Sequence, residues 1–131
     1  MSSVSAHDGH RPSVLVVDDQ KEIRELAMLA LQDAGYSVRC AEHGAAALEA
    51  VSHERLAVIL LDMHMPVMDG WQFVRAYRSI PAPHVPLVVM TAAQDAGRYA
   101  AEVQADRFLS KPFELDELLA TIDELALHRS N

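Results

Sequence analysis

The sequence predicts one α/β domain built on a parallel sheet that is covered on both faces. Three observations carry that expectation. The apolar runs SVLVV (Ser13 to Val17), AVILL (Ala57 to Leu61) and LVVM (Leu87 to Met90) are continuous rather than alternating, as strands buried on both sides are. Stretches with helical spacing separate the runs. No hairpin signal joins one strand to the next, so crossover connections and parallel pairing are expected. With 131 residues, half of them hydrophobic, the chain suits a single core.

Taken in order, the first dozen residues are polar, with Gly9 and Pro12, and read as a loose tail. Ser13 to Val17 follows as the first strand. From Gln20 to Ala34, Ile23, Leu26, Ala27, Ala30 and Ala34 fall on one helical face, and Gly35 suits the C′ position. YSVRCA (Tyr36 to Ala41) reads as a second strand and the Ala-rich Gly44 to His53 as a second helix. Ala57 to Leu61 is the third strand. Gly70 to Ser79 suits a helix, with Phe73, Val74 and Tyr77 toward the core. IPAPHVP is a proline-rich loop before the strand Leu87 to Met90. A weaker helix runs from about Asp95 to Gln104. RFLS (Arg107 to Ser110) is a fifth strand. Glu114 to Leu127 carries Leu115, Leu118, Leu119, Ile122 and Leu125 on one side, with acids in its first turn where the helix dipole favours them.

Composition narrows the function classes. The net charge of −8 disfavours direct binding to nucleic acid. The single cysteine, Cys40, excludes an intrachain disulfide. There is no signal-peptide pattern and no apolar run of the roughly 18 residues that a membrane span needs, so a cytoplasmic protein is expected.

Ligand sites of such sheets lie at the carboxyl ends of the strands. There the chain places Asp18 and Asp19 after the first strand, Asp62 after the third, Thr91 after the fourth, and Lys111-Pro112 after the fifth. Converging carboxylates repel unless a cation joins them. An all-oxygen donor set suits Mg²⁺, and the absence of sulfur and nitrogen donors at these positions disfavours zinc. A lysine and a threonine beside such an ion suit a phosphoryl group. Asp62, a lone acid at the end of a central strand, is the candidate nucleophile, and the pair Asp18 and Asp19 the candidate metal holders. Taken singly, each residue would be an ordinary cap, turn or surface residue; their weight is collective. Cys40 and His43 have Cys-x-x-His spacing but no second pair.

The order VVDD…LLDMHMPVMDG…VVMTA…FLSKPF resembles the receiver domain of bacterial two-component response regulators, from about Ser13 to Leu127. The resemblance implies a five-stranded parallel sheet in the flavodoxin-like order 2-1-3-4-5. It implies that Asp62 accepts a phosphoryl group from a sensor histidine kinase or phosphotransfer protein. Asp19 and Asp62 would bind Mg²⁺ directly and Asp18 partly through water, with the backbone carbonyl of His64 completing the set. Thr91 and Lys111 would contact the phosphoryl oxygens, Lys111-Pro112 would be cis, and Thr91 and Phe108 would form the switch. Phosphorylation would then alter the surface of the fourth helix, fifth strand and fifth helix for a downstream protein partner. The protein would be a self-phosphorylating and slowly self-dephosphorylating switch, not a turnover enzyme. In this family the position of His64 tends to tune dephosphorylation.

Two positions depart from the pattern. Gln104 stands where receivers often have glycine, and Val67 where glycine is frequent in the loop. The short stretch after the last helix gives the expectation of a stand-alone receiver over residues 13–131 with no output domain, as a monomer or weak homodimer. The alternatives are an excised receiver of a larger regulator or hybrid kinase, a partner-binding pseudo-receiver, and a haloacid-dehalogenase-type phosphatase. That last family places its nucleophile in an Asp-x-Asp motif after the first strand, whereas Asp18 and Asp19 are adjacent and the lone acid comes later.

Overall fold

The structure, a computed structural model, describes residues 12–128 apart from 54 and 82. The expected tail lies, except for Pro12, outside the described residues. Five strands and five helices alternate: β1 (Ser13–Val17), α1 (Lys21–Asp33), β2 (Ser37–Ala41), α2 (Gly44–His53), β3 (Val58–Asp62), α3 (Gly70–Ser79), β4 (Leu87–Ala92), α4 (Ala93–Val103), β5 (Arg107–Lys111) and α5 (Leu115–His128). The strands form one sheet in the order β2-β1-β3-β4-β5, every pair parallel.

The continuous apolar runs occupy the middle of that sheet. All five residues of β3 and the first five of β4 are buried, and in β1 only Ser13 is not fully covered. Alternate residues feed two cores, because successive side chains point to opposite faces. Val14, Val16, Val58, Leu60, Met90 and Leu109 meet α1 and α5 through Ala27, Leu31, Leu118 and Ile122. Leu15, Val17, Ile59, Leu61 and Val89 meet α2, α3 and α4 through Ala47, Ala50, Phe73, Val74 and Ala100.

The helix boundaries fall close to the expected ones, with corrections to two faces. In α1 the inner stripe is Ala27 and Leu31 with Ile23 and Ala30 beside them. Leu26 is 43% exposed and Ala34 lies on the outside. A step of about 100° per residue puts position 26 beside the stripe rather than on it. Leu115, expected inside α5, is likewise 38% exposed. Helix α4 begins two residues before its expected start, directly after β4.

Local chemistry ends the elements. Gly35, at φ +102°, closes α1 in a conformation that L side chains rarely adopt. Asp69 caps α3: its side chain accepts from the Gln72 N–H at 2.9 Å while Gln72 Oε1 accepts from the Asp69 N–H. Gln104 adopts the left-handed conformation at the end of α4, with φ 55° and ψ 47°. Arg78 of α3 steadies that end by donating to the carbonyls of Val103 and Gln104, the latter at 3.0 Å.

Two outcomes follow from these contacts. Gln104→Gly removes the steric cost of the left-handed residue, so it is expected to raise the unfolding free energy by about 0.5–1 kcal/mol in chemical denaturation. At Gly70 an added Cβ would meet the Met63 Sδ at 2.5 Å and the Met63 Cα at 2.7 Å. Gly70→Ala should therefore lower the midpoint of the same titration, by about 1–3 kcal/mol in stability.

Candidate functional site

The register of the sheet builds the site. Val17 pairs with Leu61, so Asp18 and Asp62 are the next residues of neighbouring strands, roughly one strand spacing apart. Asp62 is the last residue of β3, Thr91 lies within β4, and Lys111 is the last residue of β5. The key groups thus belong to the strands themselves, one or two residues earlier in the structure than the apolar runs alone suggested. Asp18, Asp62 and Lys111 share the parity of Val16, Leu60 and Leu109. They therefore crown the apolar columns facing α1 and α5, while Thr91 has the opposite parity.

Burial and charge set the electrostatics. Asp18 is fully buried, Asp62 is 4% exposed and Thr91 is 2% exposed. Asp19 is exposed. The Lys111 Nζ lies 2.7 Å from Asp18 Oδ2 and 3.5 Å from Asp62 Oδ1, bridging the two acids. It also donates to the Gln20 side-chain oxygen at 3.2 Å. Asp18 Oδ1 accepts from the Gln20 N–H at 2.8 Å, and the Arg24 guanidinium donates to the Asp18 carbonyl at 2.9 Å. The His64 N–H lies 3.5 Å from Asp62 Oδ1. The Lys111-Pro112 peptide is cis.

Asp62 is pushed from the ordinary carboxylate value of 3.8 up to about 6. Burial is the main cause and repulsion from Asp18 the next; Lys111 and the His64 N–H pull the other way, and Asp19 adds a smaller upward push. One ammonium set against three carboxylates leaves the cluster with surplus negative charge. Asp18, Asp19 and Asp62 each offer an oxygen, and those atoms all lie within 4.8 Å of one another. An all-oxygen set with this spacing fits a small, hard divalent cation such as Mg²⁺. Beside it opens a cleft of about 280 Å³ lined by Asp19, Gln20, Asp62, His64, Thr91, Ala92 and Lys111.

The structure brings Asp18, Asp19, Asp62, Thr91 and Lys111 to one edge, as their order along the chain suggested. Phe108 stands apart from the cleft, 49% exposed, with its ring over Gly97 of α4. The loop from Met63 to Gly70 closes through a Gly70 N–H to Met63 carbonyl bond of 2.9 Å. Val67, at φ 71° and 84% exposed, forms its tip. Within this loop Met65 is buried, whereas Met68 packs toward Gly44 at the start of α2. His43 belongs to a helix cap, its Nδ1 accepting from the Ala46 N–H at 3.1 Å. Sequence reasoning missed Gln20, although its place directly after the acid pair was a usable signal. It also missed the contact of His64 with Trp71 and Tyr99, for which no short-range signal exists.

A doubly covered parallel sheet with an acidic cluster and one lysine at its carboxyl edge defines a class of α/β domain whose acids could hold a metal ion. The chain matches the response regulator receiver domain family over residues 14–123 and belongs to that family. It is thus a receiver domain of two-component signalling, a family of switches. Among curated relatives it is similar to response regulator MprA of Mycobacterium leprae, 40% identical over 86% of this chain and 50% of that protein. It is similar to MprA of Mycobacterium avium at 38% over the same shares. The chain therefore spans about half the length of these relatives. Among solved structures it resembles the chemotaxis response regulator CheY4 of Vibrio cholerae, with 34% identity and a TM-score of 0.76 over 88% of this chain and 98% of that one. It also resembles the Francisella response regulator 1452 receiver domain, with 28% identity and a TM-score of 0.82 over 92% and 100%. Among the described residues no helix is long and apolar enough to cross a membrane.

The raised Asp62 pKa has a stability consequence. A carboxylate whose folded value lies above its unfolded value favours the folded state least when ionised. The penalty is complete above about pH 6 and absent below the unfolded value near 4. Without added divalent cation, Asp62→Asn should be the more stable protein at pH 7, by about 1–3 kcal/mol. That advantage should shrink as the pH falls from 6 toward 4. Denaturant midpoints of both proteins across this range measure it.

Proposed function

We propose that Asp62 is the phosphoryl acceptor of this receiver, taking the group from a histidine kinase or phosphotransfer protein. The observation that carries the reading is the buried Asp62 carboxylate facing the cleft with Lys111 Nζ at 3.5 Å and Thr91 in the same wall. An Asp62 oxygen attacks the phosphorus of the donor phosphohistidine. The phosphorus–nitrogen bond breaks, the ring nitrogen leaves with the electron pair, and an acyl phosphate forms on Asp62. Lys111 neutralises one phosphoryl oxygen and the Thr91 hydroxyl donates to another. Asp18, Asp19, Asp62 and the His64 carbonyl would hold Mg²⁺, which when bound offsets the charge of the acids and of the incoming group.

In the structure Lys111 is engaged mainly by Asp18 and Gln20. Acting on a phosphoryl group requires it to lean toward Asp62, so the two acids compete for one ammonium. The output is a change in the surface formed by α4, β5 and α5, with Thr91 and Phe108 as the moving parts, read by a downstream protein in the cytoplasm. One transfer and one hydrolysis per signalling cycle make it a switch rather than a turnover enzyme. Residues 13–131 act as the receiver unit. The haloacid-dehalogenase alternative gains no support from the comparisons.

Incubation with acetyl phosphate and Mg²⁺ should place up to one base-labile, acid-stable phosphate per chain on Asp62, located by mass spectrometry. Chelation of the metal and Asp62→Asn should each abolish the label, and Lys111→Ala should reduce it strongly. Equal labelling of Asp62→Asn would refute the assignment.

A further inference from the structure

His64 follows Asp62 by two residues and lines the cleft. Its ring is held. It meets the Trp71 ring edge-to-face with centroids 5.6 Å apart and the Tyr99 ring at 5.4 Å. Trp71 and Tyr99 meet each other at 4.7 Å, so the three rings close a triangle. Its corners come from the loop after β3, the first turn of α3 and the middle of α4. Two more contacts fix the outer pair. The Trp71 indole N–H donates to Glu102 Oε1 at 2.9 Å, and the Arg98 guanidinium lies 4.9 Å from the Tyr99 ring centroid.

We infer that Trp71 and Tyr99 are positioning residues that hold the His64 side chain against one wall of the cleft and thereby limit the access of water to a phosphoryl group on Asp62. The inference rests on the reading of Asp62 as acceptor. Hydrolysis needs a water oxygen to reach phosphorus. The acyl oxygen–phosphorus bond then breaks, its electrons return to the Asp62 carboxylate, and inorganic phosphate leaves. His64 is exposed, and an exposed side chain without partners samples its rotamers within nanoseconds. Edge-to-face contact with two rings biases that sampling toward one rotamer and so favours an aromatic wall beside the acceptor. Because Tyr99 and Glu102 belong to α4, the wall is fixed in part by that helix. A partner that displaces α4 would therefore change the lifetime of the phosphoryl group.

The test compares decay of the phosphorylated chain after removal of acetyl phosphate. The proteins are wild type, Tyr99→Leu, Tyr99→Phe, His64→Ala and the Tyr99→Leu/His64→Ala double variant. Tyr99→Leu should lose the phosphate roughly two- to tenfold faster, the size of one aromatic pair's coupling. Tyr99→Phe keeps the ring and should keep the wild-type rate. The double variant should decay no faster than His64→Ala alone. An unchanged or slower rate for Tyr99→Leu, or a full additional acceleration in the His64→Ala background, would overturn the inference. Trp71→Leu carries the same comparison if Tyr99→Leu fails to fold. The ring-current shift of the His64 Cε1 proton by NMR, expected in wild type and lost in Tyr99→Leu, reads the clamp without any phosphate. A wild type with that shift but no label on Asp62 would refute the acceptor reading and the water-limiting role, and leave only the ring geometry standing.

Discussion

Two carboxylates buried side by side and sharing one ammonium are the constraint on which the rest of this structure turns. Asp18 is wholly enclosed and Asp62 nearly so, with Lys111 between them. Burial of such charges is unfavourable unless partners offset it. Lys111 offsets only part, which is why the Asp62 carboxyl stays well above its ordinary range. The acids cannot relax into solvent, because each continues a strand whose lower residues are locked in the core: Val14 and Val16 beneath Asp18, Val58 and Leu60 beneath Asp62. Hydrophobic burial along the sheet thus holds an electrostatic arrangement that the site residues alone would not adopt. A bound divalent cation would relieve it.

The apolar runs made the strands legible, because only parallel, doubly covered strands read as uninterrupted Val, Leu and Ile. Once the strands were placed, Asp18, Asp62, Thr91 and Lys111 could be assigned to one edge by chain order. What sequence could not supply was parity and facing. The extension of β4 through Thr91 and Ala92 depends on pairing with β5, where Thr91 lies opposite Ser110 and Ala92 opposite Lys111. The inner stripe of α1 was placed partly on Leu26 because alanine-rich helices offer several near-equivalent faces. Contact with β1 and α5 selects among them, and it selects Leu31. Gln104 illustrates the middle case: the glycine that receivers often have there marked it as awkward, but the support from Arg78 comes from 26 residues away and has no local signature. The meeting of Trp71 with Tyr99 is unreadable for the same reason, since it depends on how α3 and α4 lie across the sheet.

Helix α4 is where site and surface meet. Strand β4 ends at Ala92 and α4 begins at Ala93, with no loop between them. Thr91 is therefore two residues from the first helical residue, and a shift of its backbone toward Asp62 has no slack in which to be lost. The far end of α4 is held differently. Arg78 binds its last carbonyls, and the Trp71 indole binds the side chain of Glu102, one residue before Val103. Both anchors belong to α3, whose start is tied to the site through the Gly70 N–H on the Met63 carbonyl. On the other side, Gly97 offers only a Cα beneath the Phe108 ring, an easy contact to slide. A helix bonded along one flank and only packed along the other is disposed to pivot about the bonded flank rather than to translate. Under the proposed reading, movement of Thr91 would accordingly be converted into a change at the α4–β5 surface, where Phe108 stands half exposed. The α3–α4 seam with its aromatic triangle would serve as the axis.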